Sequence, residues 1–226
     1  MNILPINELF ETIQGEGAFT GTPAIFLRLQ GCDIGCPWCD TQQTWILDLD
    51  NKKNDLQKLL DHQLQPHEWL NVKISDIIAL LNNKKFHAQH VVITGGEPCM
   101  YDLTELTDEI INKTNKTIQI ETSGCYDIKV NNKVWVTLSP KVNMKKKLPV
   151  LTSALNRANE IKHPVALKRH IEELEVLLKK VNNIDNTMIY LQPISTKERA
   201  TSLCVQTCIE KNWKLSIQTH KYIHIE

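Results

Sequence analysis

A chain of 226 residues, 42% hydrophobic and 23% charged, carries enough apolar side chains for one large core. Its 26 basic and 26 acidic residues cancel, which argues against a bulk electrostatic grip on nucleic acid or an anionic membrane. No apolar run approaches the ~20 residues of a membrane helix. Residues 1–17 lack the basic-then-apolar pattern of a secretory signal. The expected location is therefore the cytoplasm, where the seven cysteines read as buried, metal-binding or catalytic rather than paired.

In chain order, AIFLRL (24–29) predicts a buried strand running straight into GCDIGCPWCD (31–40). Residues 42–73, rich in Lys, Asp, Asn and Gln, read as an insertion. A helix is expected over 74–84, a strand over 91–94 ending at Gly95-Gly96, and a helix over 102–115 with Asp102 as N-cap. Strands over 117–121 and 134–139 follow, ending at Thr122-Ser123-Gly124 and Pro140-Lys141. Then come a helix (151–160), a strand (164–168), a helix (170–181) and a strand (188–192). The last elements are a helix over 196–211, capped by Ser195 or Thr196 with Leu203, Cys204, Cys208 and Ile209 facing inward, and a strand over 214–218.

Strands alternating with helices imply βα units and a mostly parallel sheet. A closed eight-unit barrel takes ~250 residues. Without the insertion this chain has room for about six units of ~30 residues. The expected fold is thus α/β: a partial, open βα barrel, one domain over 1–226, with the insertion after the cysteine loop. Four strand ends carry polar or glycine-rich signatures: the cysteine loop, GGEP (95–98), ETSG (121–124) and SPK (139–141). In parallel αβ architectures such ends share one rim, where ligands bind.

Cys32, Cys36 and Cys39 are spaced C-x3-C-x2-C. Their i, i+4, i+7 positions would also mark a helix face of small buried residues, but Gly31, Gly35 and Pro37 oppose a helix. In a loop, three thiols are one too few for a closed tetrahedral zinc site and match a catalytic zinc with an open position. They equally match a four-iron cluster with one iron left for a small molecule, since such clusters normally take four cysteines.

C-x3-C-x2-C after the first strand, followed by GGEP, resembles the radical S-adenosylmethionine (SAM) enzymes, whose open iron chelates SAM and whose cluster electron releases a 5′-deoxyadenosyl radical. The segments FETIQGEGAFTGTPAIFLRLQGC (10–32), HVVITGGEP (90–98), IETSG (120–124), TLSPK (137–141) and QTHKY (218–222) narrow the likeness to the 7-carboxy-7-deazaguanine synthase family. That family contracts 6-carboxy-5,6,7,8-tetrahydropterin to 7-carboxy-7-deazaguanine with loss of ammonia, in queuosine precursor synthesis. The resemblance implies a [4Fe-4S] cluster on Cys32, Cys36 and Cys39, catalytic SAM, Mg²⁺, an electron donor such as flavodoxin or ferredoxin, and a homodimer. It implies SAM contacts at Trp38, Cys39, Asp40, Gly96, Glu97, Ser139, Pro140 and Lys141, with Gln192 a further candidate at a strand end. It implies Mg²⁺ at Thr41, and substrate contacts at Ile13, Gln14, Gly15, Arg28 and Thr94. Glu16 suits a guanine-like N–H pair, Arg28 a carboxylate, and His220 and Glu226 are further candidates.

Each of these has a plainer alternative. Arg28 could be a structural salt bridge, Lys141 a solvated lysine and Thr41 a loop cap. Cys99, Cys125, Cys204 and Cys208 read as packing residues. A glycyl-radical activating enzyme would share the cluster loop but give TIQGEG no purpose. An electron carrier would leave GGEP, ETSG and SPK unused, and a zinc hydrolase would want a glutamate in the loop.

Overall fold

The computed structural model describes residues 3–142, 144, 148–194, 197–223 and 225. The fold is mixed α/β with mostly parallel strands, and the chain divides into two compact units.

The first unit holds the segment ending at Thr12, Pro23–Glu121 and Lys129–Val134. Its strands are β1 (Ile3–Ile13), β2 (Pro23–Leu29), β3 (Lys52–Lys53), β4 (Trp69–Lys73), β5 (His90–Gly95) and β6 (Thr117–Thr122). Their order is β6-β5-β2-β1-β4-β3. β2, β5 and β6 run parallel, and the register sets Arg28 beside Thr94 and Leu29 beside Gly95. β2 and β5 read as near-continuous apolar runs because both faces are covered, whereas β6 (TIQIET) alternates. Its helices are α1 (Leu56–Leu60), α2 (Ile74–Leu81) and α3 (Thr104–Lys113). α2 buries Ile74, Ile77, Ile78 and Leu81, one helical face.

The sequence reading names no strand at β1, where Pro5 and Asn7 break the apolar pattern. Yet β1 is buried on both faces from Leu4 to Asn7, and its edges pair with β2 and β4. Pro5 has no N–H to donate, but its carbonyl still joins the strand to its neighbour by accepting from Gln30 N–H at 2.9 Å. Residues 42–73 have more structure than their polarity suggests. β4 pairs antiparallel with β1 (Ile3 with Lys73, Ile6 with Leu70), and Leu59, Trp69, Leu70 and Val72 are buried.

The second unit holds Ile13–Thr22, Thr122–Ile128 and the chain from Trp135 onward. Its strands β7 (Trp135–Leu138), β8 (Glu160–Val165), β9 (Met188–Pro193) and β10 (Lys214–Leu215) are parallel in the order β10-β9-β8-β7. Its helices are α4 (Thr152–Arg157), α5 (Lys168–Leu178), α6 (Glu198–Lys211) and α7 (His220–Ile223).

Here three expectations need correction. The strand expected over 164–168 is β8, four residues earlier, because Glu160, Lys162 and His163 are buried polar residues that hide its apolar signal. In α6 the buried face is Ala200, Cys204, Thr207 and Cys208, while Ile209 is exposed. The strand expected over 214–218 stops at Leu215; Ser216 N–H still reaches Leu191 O at 2.9 Å, then the chain turns away. The caps expected at Ser195 or Thr196 lie outside the described residues. Asp102 does accept from Thr104 N–H at 3.0 Å at the start of α3.

Candidate active site

In the first unit the cysteine loop leaves β2 at Gln30. Gln30 is buried, and its side-chain amide donates to Gln43 O at 3.0 Å and Ile46 O at 2.7 Å. Gly31 and Cys32 N–H donate to Thr44 O and Trp45 O at 2.7 and 3.0 Å. Residues 43–46 thus run alongside the loop as a strap. Tyr101 hydroxyl donates to Gln30 O at 2.7 Å from the other direction. Pro37 and Trp38 form the corner of a turn closed by Cys39 N–H to Cys36 O at 3.1 Å, the position where proline is favoured.

GGEP packs directly on this loop. Gly96 N–H donates to Leu29 O at 3.0 Å and Glu97 N–H to Gly31 O at 2.9 Å. A Cβ on Gly96 would run into Gly31 O and stand 3.0 Å from Cys32 Cβ, so only glycine allows the approach. The buried Glu97 carboxylate accepts from Cys99 N–H at 2.9 Å, capping the short turn at Pro98–Met100. Trp38 and Asp40 are exposed at the loop's corner.

None of the seven cysteines is joined in a disulfide. Burial pushes the Cys32 thiol up to about 11, and the Glu97 charge adds to it against backbone N–H groups that lower it. Such a thiol ionises at neutral pH when a metal displaces its proton. Among the described residues no three His, Cys, Asp or Glu side chains are gathered as they would be round one ion. A cubane asks for no such gathering, because its cysteines bind separate irons. Soft sulfur donors on a loop tied down by its backbone therefore fit an iron–sulfur cluster better than a mononuclear zinc.

Thr41 Oγ1 lies 3.6 Å from Cys39 Sγ, and makes no side-chain cap to the turn at Gln42–Thr44. The capping alternative for Thr41 is thus not what the structure shows. Arg28 Nε donates to Glu8 Oε2 at 2.6 Å, with the guanidinium 5.8 Å from the Phe10 ring centroid. The salt bridge exists, but it engages Nε alone; a carboxylate fork would use the terminal nitrogens.

In the second unit the loop Gln14–Ala18 is held from several directions. Gln14 is buried and its Oε1 accepts from Glu16 N–H at 3.1 Å. Gly15 O accepts from Thr219 N–H at 3.1 Å and Thr219 hydroxyl at 3.0 Å. Gly17 N–H donates to Ser216 Oγ at 3.1 Å, and Ser216 hydroxyl to Gln192 Oε1 at 3.0 Å. Ala18 N–H donates to Glu160 Oε2 at 2.9 Å. Gly17 has φ +65°, and a Cβ there would fall against the Glu160 carboxylate. His220 opens α7 directly beside Gly15, where it would obstruct any side chain.

The Glu16 carboxylate accepts from Lys162 Nζ at 2.5 Å and Gln218 Nε2 at 2.8 Å. Burial would raise its pKa, but the Lys162 charge and these bonds hold it down to about 2. Lys141 is part-buried and its Nζ donates to Ser139 Oγ at 2.6 Å. Burial, with the Lys141 charge beside it, pushes His163 down to about 3.

The predicted residues divide between the units. The cysteines, Trp38, Asp40, Thr41, Arg28, Thr94, Gly96 and Glu97 lie in the first; Ile13, Gln14, Gly15, Glu16, Ser139, Pro140, Lys141, Gln192 and His220 lie in the second. Glu226 lies outside the described residues. Sequence reasoning missed Glu8, Glu160, Lys162 and Gln218. On β8, Glu160 and Lys162 stand two apart and so on one face, but His163 is buried and polar as well, so the strand offered no apolar contrast to mark them.

Residues 13–151 match the family model described as a 4Fe-4S single cluster domain. The chain is 50% identical over 221 residues, 98% of each chain, to 7-carboxy-7-deazaguanine synthase of Escherichia coli K12. The chain belongs to the 7-carboxy-7-deazaguanine synthase family. The enzyme of that name from Buchnera aphidicola is 47% identical, again over 98% of each chain. The crystal structure of QueE from Escherichia coli superimposes with a TM-score of 0.90 at 49% identity, covering 96% of this chain and 94% of that one. Members of this family are radical SAM lyases, and the fold and enzyme class expected from the sequence are those found.

Proposed function

We propose that this protein contracts 6-carboxy-5,6,7,8-tetrahydropterin to 7-carboxy-7-deazaguanine and ammonia, in queuosine precursor biosynthesis. The observation that carries the reading is the 50% identity to the Escherichia coli enzyme along 98% of both chains, with the cysteine loop and GGEP intact. When bound, the [4Fe-4S] cluster and SAM supply the hydrogen-abstracting chemistry. Cys32, Cys36 and Cys39 would hold the cluster. Trp38, Asp40, Gly96, Glu97, Ser139, Pro140, Lys141 and Gln192 would hold SAM; the packing of Gly96 on Gly31 and Cys32 sets GGEP directly against the cysteine loop.

Ile13, Gln14, Gly15, Glu16, Arg28, Thr94, His220 and Glu226 would hold the pterin. Glu16 is fully ionised at neutral pH and so serves as an acceptor for the pterin's N–H edge, not as a proton donor. Thr41 would give Mg²⁺ a hard oxygen. We further propose that residues 1–226 act as one catalytic domain with 42–73 as its insertion, that the enzyme is a cytoplasmic homodimer, and that a flavodoxin or ferredoxin reduces it. Among the described residues no helix is long and apolar enough to cross a membrane. A glycyl-radical activating enzyme would give no role to the clamped Gln14–Ala18 loop.

The test is an anaerobic assay with carboxytetrahydropterin, SAM, a reductant and Mg²⁺, following product and ammonia. Product formation dependent on SAM supports the reading; an intact cluster with cleavage of SAM but no consumption of the pterin defeats it.

A further inference from the structure

Lys162 has no role in the function as proposed, yet it is among the least exposed charges of the chain. Its side chain is 4% exposed and that of its partner Glu16 17%. A buried ion pair is a poor way to stabilise a fold, since desolvation offsets most of the attraction. The surroundings are built to aim this one. Lys162 sits on β8 two residues after Glu160, so both side chains leave the same face of the strand. Glu160 takes Ala18 N–H and, at 2.7 Å, the Thr137 hydroxyl, which fixes the backbone just after Glu16. Thr219 fixes the backbone just before it, at Gly15. Lys221 Nζ donates to Gln218 Oε1 at 2.7 Å, which turns the amide's Nε2 toward Glu16. Each Glu16 oxygen thus receives one bond, Oε2 from Lys162 and Oε1 from Gln218, and has lone-pair capacity for another donor.

We infer that Lys162 is a positioning residue for the substrate: with Gln218 it orients the Glu16 carboxylate to accept a paired N–H edge such as that of a 2-amino-4-oxo-pyrimidine ring. This deepens the reading of Glu16 as a pterin contact and rests on it. The charged and titratable groups that face Glu16 are Lys162 and Glu160 from β8, and His220 from the start of α7; Lys221 acts on it through Gln218. Of the two carboxylates, Glu160 is the one burial pushes up, while Glu16 is held down. Lys162 is the nearest cation to Glu16. Without it, burial and the neighbouring Glu160 would drive the Glu16 pKa upward, and a protonated Glu16 cannot accept two N–H bonds.

The experiment measures binding of 6-carboxypterin, a fluorescent oxidised analogue of the substrate, to the cluster- and SAM-loaded protein between pH 5 and 7.5. In the wild type affinity stays flat across the range. Lys162→Met should weaken it about tenfold at pH 7.5, the loss of one charge-assisted contact, and make it fall further toward pH 5. Lys162→Arg should restore the flat profile. Wild-type affinity and a flat profile in Lys162→Met, with 6-carboxypterin still bound by the wild type, overturn the role of Lys162 and leave the proposed function standing. No binding by the wild type overturns both. Should Lys162→Met fail to fold, Gln218→Ala decides: it keeps the ion pair, so affinity drops but the profile stays flat, and an acid-sensitive profile there overturns the assignment.

Discussion

Arg28 on β2 and Glu8 on β1 meet side by side, Nε to Oε2 at 2.6 Å, and the Phe10 ring flanks the guanidinium. The pair holds the guanidinium in one orientation while its terminal nitrogens stay available as a fork. Arg28→Ala should raise the apparent substrate constant by about 10- to 100-fold, the worth of a charge-assisted hydrogen bond of roughly 1.5–3 kcal/mol. Glu8→Gln should raise it by less, since a neutral acceptor still orients Nε. Apparent SAM affinity should move in neither. A matching loss of SAM binding, or a collapse of thermal stability in both variants, would mark the pair as purely structural.

Replacing Cys32, Cys36 or Cys39 by Ala should abolish the iron and sulfide content, expected at about four of each per chain in anaerobically purified protein. Cys99, Cys125, Cys204 and Cys208 are buried packing residues, and their Ala variants should keep the full content. Iron and acid-labile sulfide analysis decides this, and a colourless wild type holding one zinc would defeat it.

SAM should be regenerated in each turnover. Product should therefore accumulate well beyond the SAM consumed, as followed by chromatography. Accumulation of 5′-deoxyadenosine one for one with product would make SAM a co-substrate and misplace the enzyme within its superfamily.

Thr41 points its hydroxyl toward Cys39 Sγ and makes no cap to the turn it precedes. Thr41→Ala should retain the cluster and SAM binding but lose most of the stimulation by Mg²⁺; Thr41→Ser should keep it. A Mg²⁺ titration of turnover separates the two, and an unchanged response in the alanine variant would put the metal elsewhere.

Acid stability should report the Glu16–Lys162 pair. The Glu16 pKa is lowered from 4.5 to about 2 on folding, so its contribution is fully present above about pH 5 and fades as pH falls toward 2. A shift of that size corresponds to about 3 kcal/mol. The stability difference between wild type and Glu16→Gln should therefore shrink by about 2 kcal/mol from pH 5 to pH 3 in denaturant titrations. Glu160, raised mainly by burial, works in the opposite sense, and Glu16→Gln removes only the smallest contribution to it, the Glu16 charge. A difference constant over that window would show that Glu16 titrates normally.

Much of the first unit's site was legible because its residues are near one another in sequence or punctuate strand ends. Pro37 and the glycines forced a loop, and GGEP announced a close backbone approach. The parallel strands were legible as apolar runs. β1 was not, since Pro5 and Asn7 interrupt its pattern, and β8 was displaced because Glu160, Lys162 and His163 are polar yet buried. The partners of Glu16 were not legible at all. No local rule links residue 16 to residues 160, 162 and 218; only the register of β7, β8 and β9, together with the turn after β10, brings them together. The same holds for Glu8, whose strand gave no sign of itself.

The clamp on Glu16 has a bearing on how the protein comes into being. Its bonds reach across 146 residues to Lys162 and 202 to Gln218, whereas the strap on the cysteine loop closes within 13 to 16. Closing a loop costs entropy that grows with the logarithm of its length, and contacts of long reach form late. On a ribosome the cysteine loop can take shape while more than half of the chain is still unmade. The Glu16 carboxylate acquires its cation and its amide only near the end of synthesis. A chain cut short before Gln218 would keep the strap on the cysteine loop and lose the amide that aims Glu16.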